Sequence, residues 1–231
     1  MRTIPIKNTT SLILITLTLI ACNPPADISG RVDGIEKKGI KIYLIQPESL
    51  RDVATSYFGK VIDSAVVNSE GNFKFLNLPK TKEPVLLELA IQLSGKYPNY
   101  LQSDNPSRSN YMPILWQSGE PLKITAKLDE FQKSFSIEHP SEINNALLNL
   151  RDINQKAYQT NLEGKHWELE DGNQLLEKQH ATLQYQAELI KFADSIQNLM
   201  PALVALRWVS PINDYERVPE FLVSQCNKWK K

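Results

Sequence analysis

Cysteine is scarce in this chain: two residues in 231, Cys22 and Cys226, and no Cys-x-x-Cys pair. Two-thiol exchange needs an attacking thiolate and a resolving partner, so the chain cannot run it alone. Glycine is sparse too, with nine residues, and none is arranged as Gly-x-Gly-x-x-Gly or as a Walker loop, which speaks against either kind of nucleotide site. Gly-x-Ser-x-Gly, Ser-x-x-Lys and His-Glu-x-x-His are also missing. No residue is therefore assigned a catalytic role, and no cofactor or metal is expected. An excess of either charge is lacking as well: 26 Lys and Arg stand against 26 Asp and Glu. A nucleic-acid partner would need a basic face, and this balance argues against one.

What is present begins at the N-terminus. Arg2 and Lys7 make a short basic stretch, no acidic residue precedes Asp27, and Ser11 to Ile20 is an apolar run. A helix of about ten residues rises roughly 15 Å, half the thickness of a bilayer's hydrocarbon, so this run is too short to remain as a membrane span. It ends in Leu19-Ile20-Ala21-Cys22, a lipobox pattern of aliphatic, small or aliphatic, small, cysteine. These features predict a lipoprotein signal peptide over 1–21, cleavage before Cys22, and lipid on the Cys22 thiol. Residues 22–27 then form a tether stiffened by Pro24 and Pro25. The expected location is extracytoplasmic, anchored to a bacterial membrane through Cys22. No acidic run follows Cys22, which favours the periplasmic face of the outer membrane. A lipid-bearing Cys22 cannot pair, so Cys226 has no intramolecular partner.

Residues 28–139 carry a period of two. Leu122, Ile124, Ala126 and Leu128 share one face while Lys123, Thr125 and Lys127 share the other, and Ile40 to Leu44 and Val85 to Ile91 repeat the pattern. Val61–Val67 and Asn72–Phe75 flank Asn68-Ser-Glu-Gly71, which predicts a hairpin with positive φ at Gly71. Phe135 and Ile137 alternate with Ser134, Ser136 and Glu138 as a last strand. Seven or eight short strands, each with one wet face, predict an antiparallel β-sandwich. One long polar loop interrupts them. Within 94–111, Tyr97 and Tyr100 are the candidate binding residues for a glycan or partner protein, while Tyr111 belongs with Met112, Ile114 and Trp116 in a strand.

Residues 140–231 change to helical spacing, which makes the predicted fold class α+β. Ala146, Leu147, Leu150 and Ile153 mark one helix, and Gly164 and Gly172 bracket a break. Leu175, Leu176, Leu183, Ala187, Ile190 and Ala193 predict a long amphipathic helix stopping near Met200-Pro201. Leu203, Leu206 and Val209 form a third piece. Glu220 to Lys231 is helical in propensity with no glycine stop, which predicts truncation before a further domain. Cys226 is placed on that helix's packing face with Leu222 and Trp229. Glu163-x-x-His166 and Glu177-x-x-His180 have the spacing of di-iron ligands, but Gly164 puts the first in a loop, and both are assigned as solvated side chains.

The lipobox, the opening Ile28-Ser-Gly-Arg-Val32 and Ile40-Lys-Ile-Tyr-Leu44, and Asp63-Ser-Ala-Val-Val-Asn-Ser-Glu-Gly-Asn-Phe-Lys-Phe75 together resemble a family of bacterial lipoproteins. In that family a module of unknown function precedes a helical segment and then a thioredoxin-like domain of the TlpA/ResA type. Gly119 to Leu148 fits the same junction, and the resemblance covers nearly all of 28–231. It implies a non-catalytic N-terminal part of an extracytoplasmic thiol:disulfide oxidoreductase, or a stand-alone binding relative. The family's redox cysteines sit in the thioredoxin-like domain, and no residue here matches them; Cys226 is not carried over as catalytic.

Overall fold

The computed structural model describes residues 28–36, 39–49, 52–53, 59–103, 105–168, 170–209 and 219–230, the side chains of 219–222 excepted. The expected signal peptide, Cys22 and the expected tether lie outside the described residues. The fold is α+β. Its strands are β1 (Ile28–Asp33), β2 (Lys41–Gln46), β3 (Lys60–Val66), β4 (Asn72–Lys74), β5 (Val85–Gln92), β6 (Tyr111–Trp116), β7 (Leu122–Lys127) and β8 (Ser136–Ile137). The short helix α1 (Phe131–Ser134) separates β7 from β8. Then follow α2 (Glu142–Asn161), α3 (Gly172–Ser195), α4 (Leu199–Val209) and α5 (Pro219–Trp229).

The strands form two four-stranded sheets, ordered β4-β1-β7-β8 and β3-β2-β5-β6. Alternation works as predicted in β7, where Leu122, Ile124 and Ala126 are buried and Lys123, Thr125 and Lys127 are exposed. Ile28 and Val32 of the first sheet and Ile42, Leu44, Leu87, Leu89 and Ile91 of the second belong to one apolar cluster. That cluster continues through Leu147 and Leu150 of α2, Leu189 and Phe192 of α3, and Val204 and Trp208 of α4.

Four expectations are corrected. First, the sheets are not wholly antiparallel: β1 runs parallel to β7, from Ile28 beside Leu122 to Asp33 beside Lys127. Gly30 lies against Ile124 in this ladder, where an added Cβ would come within 2.1 Å of the Ile124 carbonyl oxygen. Second, the Asn68–Gly71 turn forms, with Gly71 at φ +85° and its N–H donating to the Asn68 carbonyl, but it does not close a hairpin. Strand β3 pairs with β2 and β4 pairs with β1, so the chain passes from one sheet to the other at this turn. Third, β5 and β6 have no wet face over most of their length; Glu88, Ala90, Tyr111 and Leu115 are buried on the side opposite the shared core positions. Fourth, Ser134 ends a helical turn, and the last strand is only Ser136–Ile137.

Helix α2 buries Ala146, Leu147 and Leu150 as its spacing predicts, but α3 departs from its sequence pattern. Helix α3 starts at Gly172, capped by Asp171, whose carboxylate accepts from the Asn173 and Gln174 N–H groups. It buries Ala181, Gln186, Leu189, Phe192 and Ala193, while Leu175, Leu176 and Leu183 are exposed. It ends at Ser195 rather than near Met200. Pro201 lies in the first turn of α4, where a missing N–H leaves no intrahelical bond unmade. The α3 C-terminus is closed by Lys228 of α5, whose ammonium donates to the Ala193, Asp194 and Ile196 carbonyls at 2.6–2.9 Å. Among the described residues no helix is long and apolar enough to cross a membrane.

Candidate functional site

The long loop runs from Leu93 to Asn110, because Tyr111 is already the first residue of β6. Two buried amides hold it. Gln92, at the end of β5, donates from Nε2 to the Pro98 carbonyl at 2.9 Å and to the Tyr100 carbonyl at 2.8 Å. Asn110, just before β6, donates from Nδ2 to the Ile91 and Tyr100 carbonyls and to Gln92 Oε1 at 3.0, 2.9 and 3.2 Å. Its Oδ1 accepts from the Gln102 N–H at 2.9 Å. Gln92 and Asn110 are each 4% exposed, so these bonds are made out of water, where leaving them unmade would be costly. Further along, Ser107 Oγ accepts from Gln155 Nε2 on α2 and donates to Glu163 at 3.4 Å. The loop is therefore fastened to the strand ends on one side and to α2 on the other.

On this frame Tyr97 is 64% exposed. Tyr100 is half-buried, and the Lys96 ammonium lies 4.7 Å from its ring centroid. The two predicted binding residues thus share one turn of the loop but differ in exposure. Beside them opens a cleft of about 520 Å³, lined by Gly34 and Glu36 after β1, Ile91 and Gln92 of β5, Leu93, Gln102 and Arg108 of the loop, and Leu128 and Asp129 after β7. Neither Tyr97 nor Tyr100 lines it. Gln92, Gln102, Arg108 and Asn110 were not singled out from sequence. The available signal was a polar residue at each end of a buried strand pair flanking a long loop. A larger, more open hollow of about 640 Å³ beside the start of α2 includes Glu120 and Glu142, no cationic side chain and no residue of the loop.

The other singled-out residues lie elsewhere. Cys226 is a free, exposed thiol, contrary to its expected place on the packing face. Helix α5 turns Gln225, Lys228 and Trp229 toward α3 instead: Gln225 donates to Asp194 at 2.6 Å, and Trp229 packs against the core cluster. Glu163 and His166 fall between α2 and α3, and Glu177 and His180 are exposed on α3. Among the described residues no group of three or more His, Cys, Asp or Glu could hold a metal ion. Burial raises the pKa of Tyr111, aided by the nearby Glu88 carboxylate, and burial likewise raises that of Tyr185. Both phenols thus stay protonated at neutral pH. Comparison with protein-family models, with curated proteins and with solved structures finds no match.

Proposed function

We propose that this chain is a lipid-anchored, extracytoplasmic binding module that presents the 94–110 loop to a ligand. By its resemblance it is the non-catalytic N-terminal part of a thiol:disulfide oxidoreductase-like lipoprotein. The observation that carries the binding role is the buried Gln92–Asn110 amide pair, which holds a long polar loop in one shape. A loop ordered before it meets its ligand loses less conformational entropy on binding. We also read the two sheets as the layers of a sandwich, since inward residues of both belong to one apolar cluster.

The test is an amide-resolved NMR titration of the purified chain with a panel of short peptides and oligosaccharides. The reading predicts that a ligand which binds perturbs amides within 94–110. Binding confined to other surfaces, or a panel with no binder, contradicts it.

A further inference from the structure

We propose that the cleft beside the loop takes a short zwitterionic ligand, an amino acid or small peptide with free ends. Arg108 holds its carboxylate, and Asp129 and Glu36 hold its ammonium group. This rests on the reading of the loop as a ligand-presenting element and adds the chemistry of the ligand.

At about 520 Å³ the cleft falls within the roughly 300–1,000 Å³ span of small-molecule sites. Ile91, Leu93 and Leu128 give it apolar wall. The one polar side chain at its buried end, Gln92, is already engaged: Nε2 donates to two loop carbonyls, and Oε1 accepts from Asn110. Polar recognition therefore falls to the rim. There a guanidinium and two carboxylates line the same cleft, yet none of the three is ion-paired with a described residue. Opposite charges that share a cleft without neutralising each other suit a ligand carrying both.

The flat donor fork of Arg108 matches a carboxylate, and an ammonium group suits the acceptor-only oxygens of Asp129 and Glu36. The loop wall is set in advance, since the Gln102 and Arg108 N–H groups are bonded to Asn110 Oδ1 and the Asn105 carbonyl, each at 2.9 Å. A neutral glycan fits less well, because no aromatic ring is among the lining residues for a sugar face to stack on. Arg108, Asp129 and Glu36 are all exposed, so water and salt weaken each contact, and modest, salt-sensitive affinity follows.

The probe is triglycine, titrated into the purified full chain in detergent and followed by amide shifts. Saturable shifts at Gly34, Leu93 and Arg108 are expected, with a Kd on the order of 1 mM at low salt. N-acetyl-triglycine and triglycinamide should each bind about tenfold more weakly, the loss expected for one charge-assisted bond. Arg108→Gln should make triglycine and triglycinamide equivalent, and Asp129→Asn should narrow the gap between triglycine and its acetylated form. Blocked peptides that bind as well as triglycine, or no saturable shift at these amides, would overturn the proposal. Loop shifts with diacetylchitobiose but with none of the peptides would also overturn it, while leaving the loop's binding role standing.

Discussion

The side-chain amide of Asn144 on α2 is bonded twice to a single residue, Leu115 of β6. Its Oδ1 accepts from the Leu115 N–H at 2.9 Å and its Nδ2 donates to the Leu115 carbonyl at 2.7 Å. Asn144 thus supplies to an edge strand the donor–acceptor pair that a neighbouring strand would offer. Elsewhere along this edge Pro113 has no N–H to satisfy, and the Tyr111 carbonyl accepts from Gln132 Nε2 at 3.0 Å. Backbone groups paired in this way blunt the edge against pairing with another strand.

Asn144→Leu keeps the side chain's approximate size and removes both bonds, leaving a buried N–H and carbonyl unpaired. The expected loss is about 2–5 kcal/mol, read as a lowered midpoint in denaturant unfolding of the 28–231 fragment. A variant as stable as the wild type would mean that the helix does not close this edge.

Ile124 and Lys123 test the register of β7. Ile124 is 1% exposed and Lys123 is solvent-facing. Ile124→Asp places an unpaired carboxylate in the core, at a predicted cost of about 3–5 kcal/mol. Lys123→Asp loses only a 3.9 Å surface contact with Glu138 and should change stability by about 1 kcal/mol or less. Similar melting shifts at the two positions would contradict the register.

Asp63 links stability to pH. Burial pushes its pKa up, but bonds from the Asn77, Leu76 and Ser64 backbone N–H groups and the Asn77 amide outweigh this and hold it below the ordinary value. A carboxyl whose folded pKa is depressed contributes stability above its unfolded pKa and loses it as the pH falls through the folded one. The wild type's advantage over Asp63→Asn should therefore be full above about pH 4 and shrink steadily below it. A gap unchanged down to about pH 2 would rule out this linkage.

Strand β7 was legible because one of its faces is wet, and alternation records that directly. Strands β5 and β6 were legible as strands, but the burial of their second face was not, because Leu115 meets Asn144 of α2, far along the chain, where no local window reaches. The Asn68–Gly71 turn could be read from Gly71, but a turn signal reports that the chain reverses, not which strand each arm joins. Helix α3 misled through Leu175, Leu176 and Leu183: its buried positions include Ala181 and Gln186, and Gln186 earns its place by donating to the Val209 carbonyl at 2.8 Å. Tyr97 and Tyr100 drew attention to the loop by their aromaticity, but neither lines the cleft beside it. Gln92 and Asn110, which shape that loop, look like ordinary surface amides until their carbonyl partners are placed.

The exposed thiol of Cys226 should react with a maleimide in the folded 28–231 fragment, with little change in melting temperature. A thiol that reacts only after unfolding would return Cys226 to the packing face. The same fragment should not accelerate insulin reduction by dithiothreitol relative to Cys226→Ser, since single-thiol attack lacks a resolving partner.

The lipid expected on Cys22 can be read directly by growing expressing cells with a clickable fatty acid and measuring label on the purified chain. The wild type should carry label and Cys22→Ala none, because multiple acyl chains on that thiol and its freed amine are what anchor a lipoprotein. An alanine variant labelled as strongly as the wild type would contradict it.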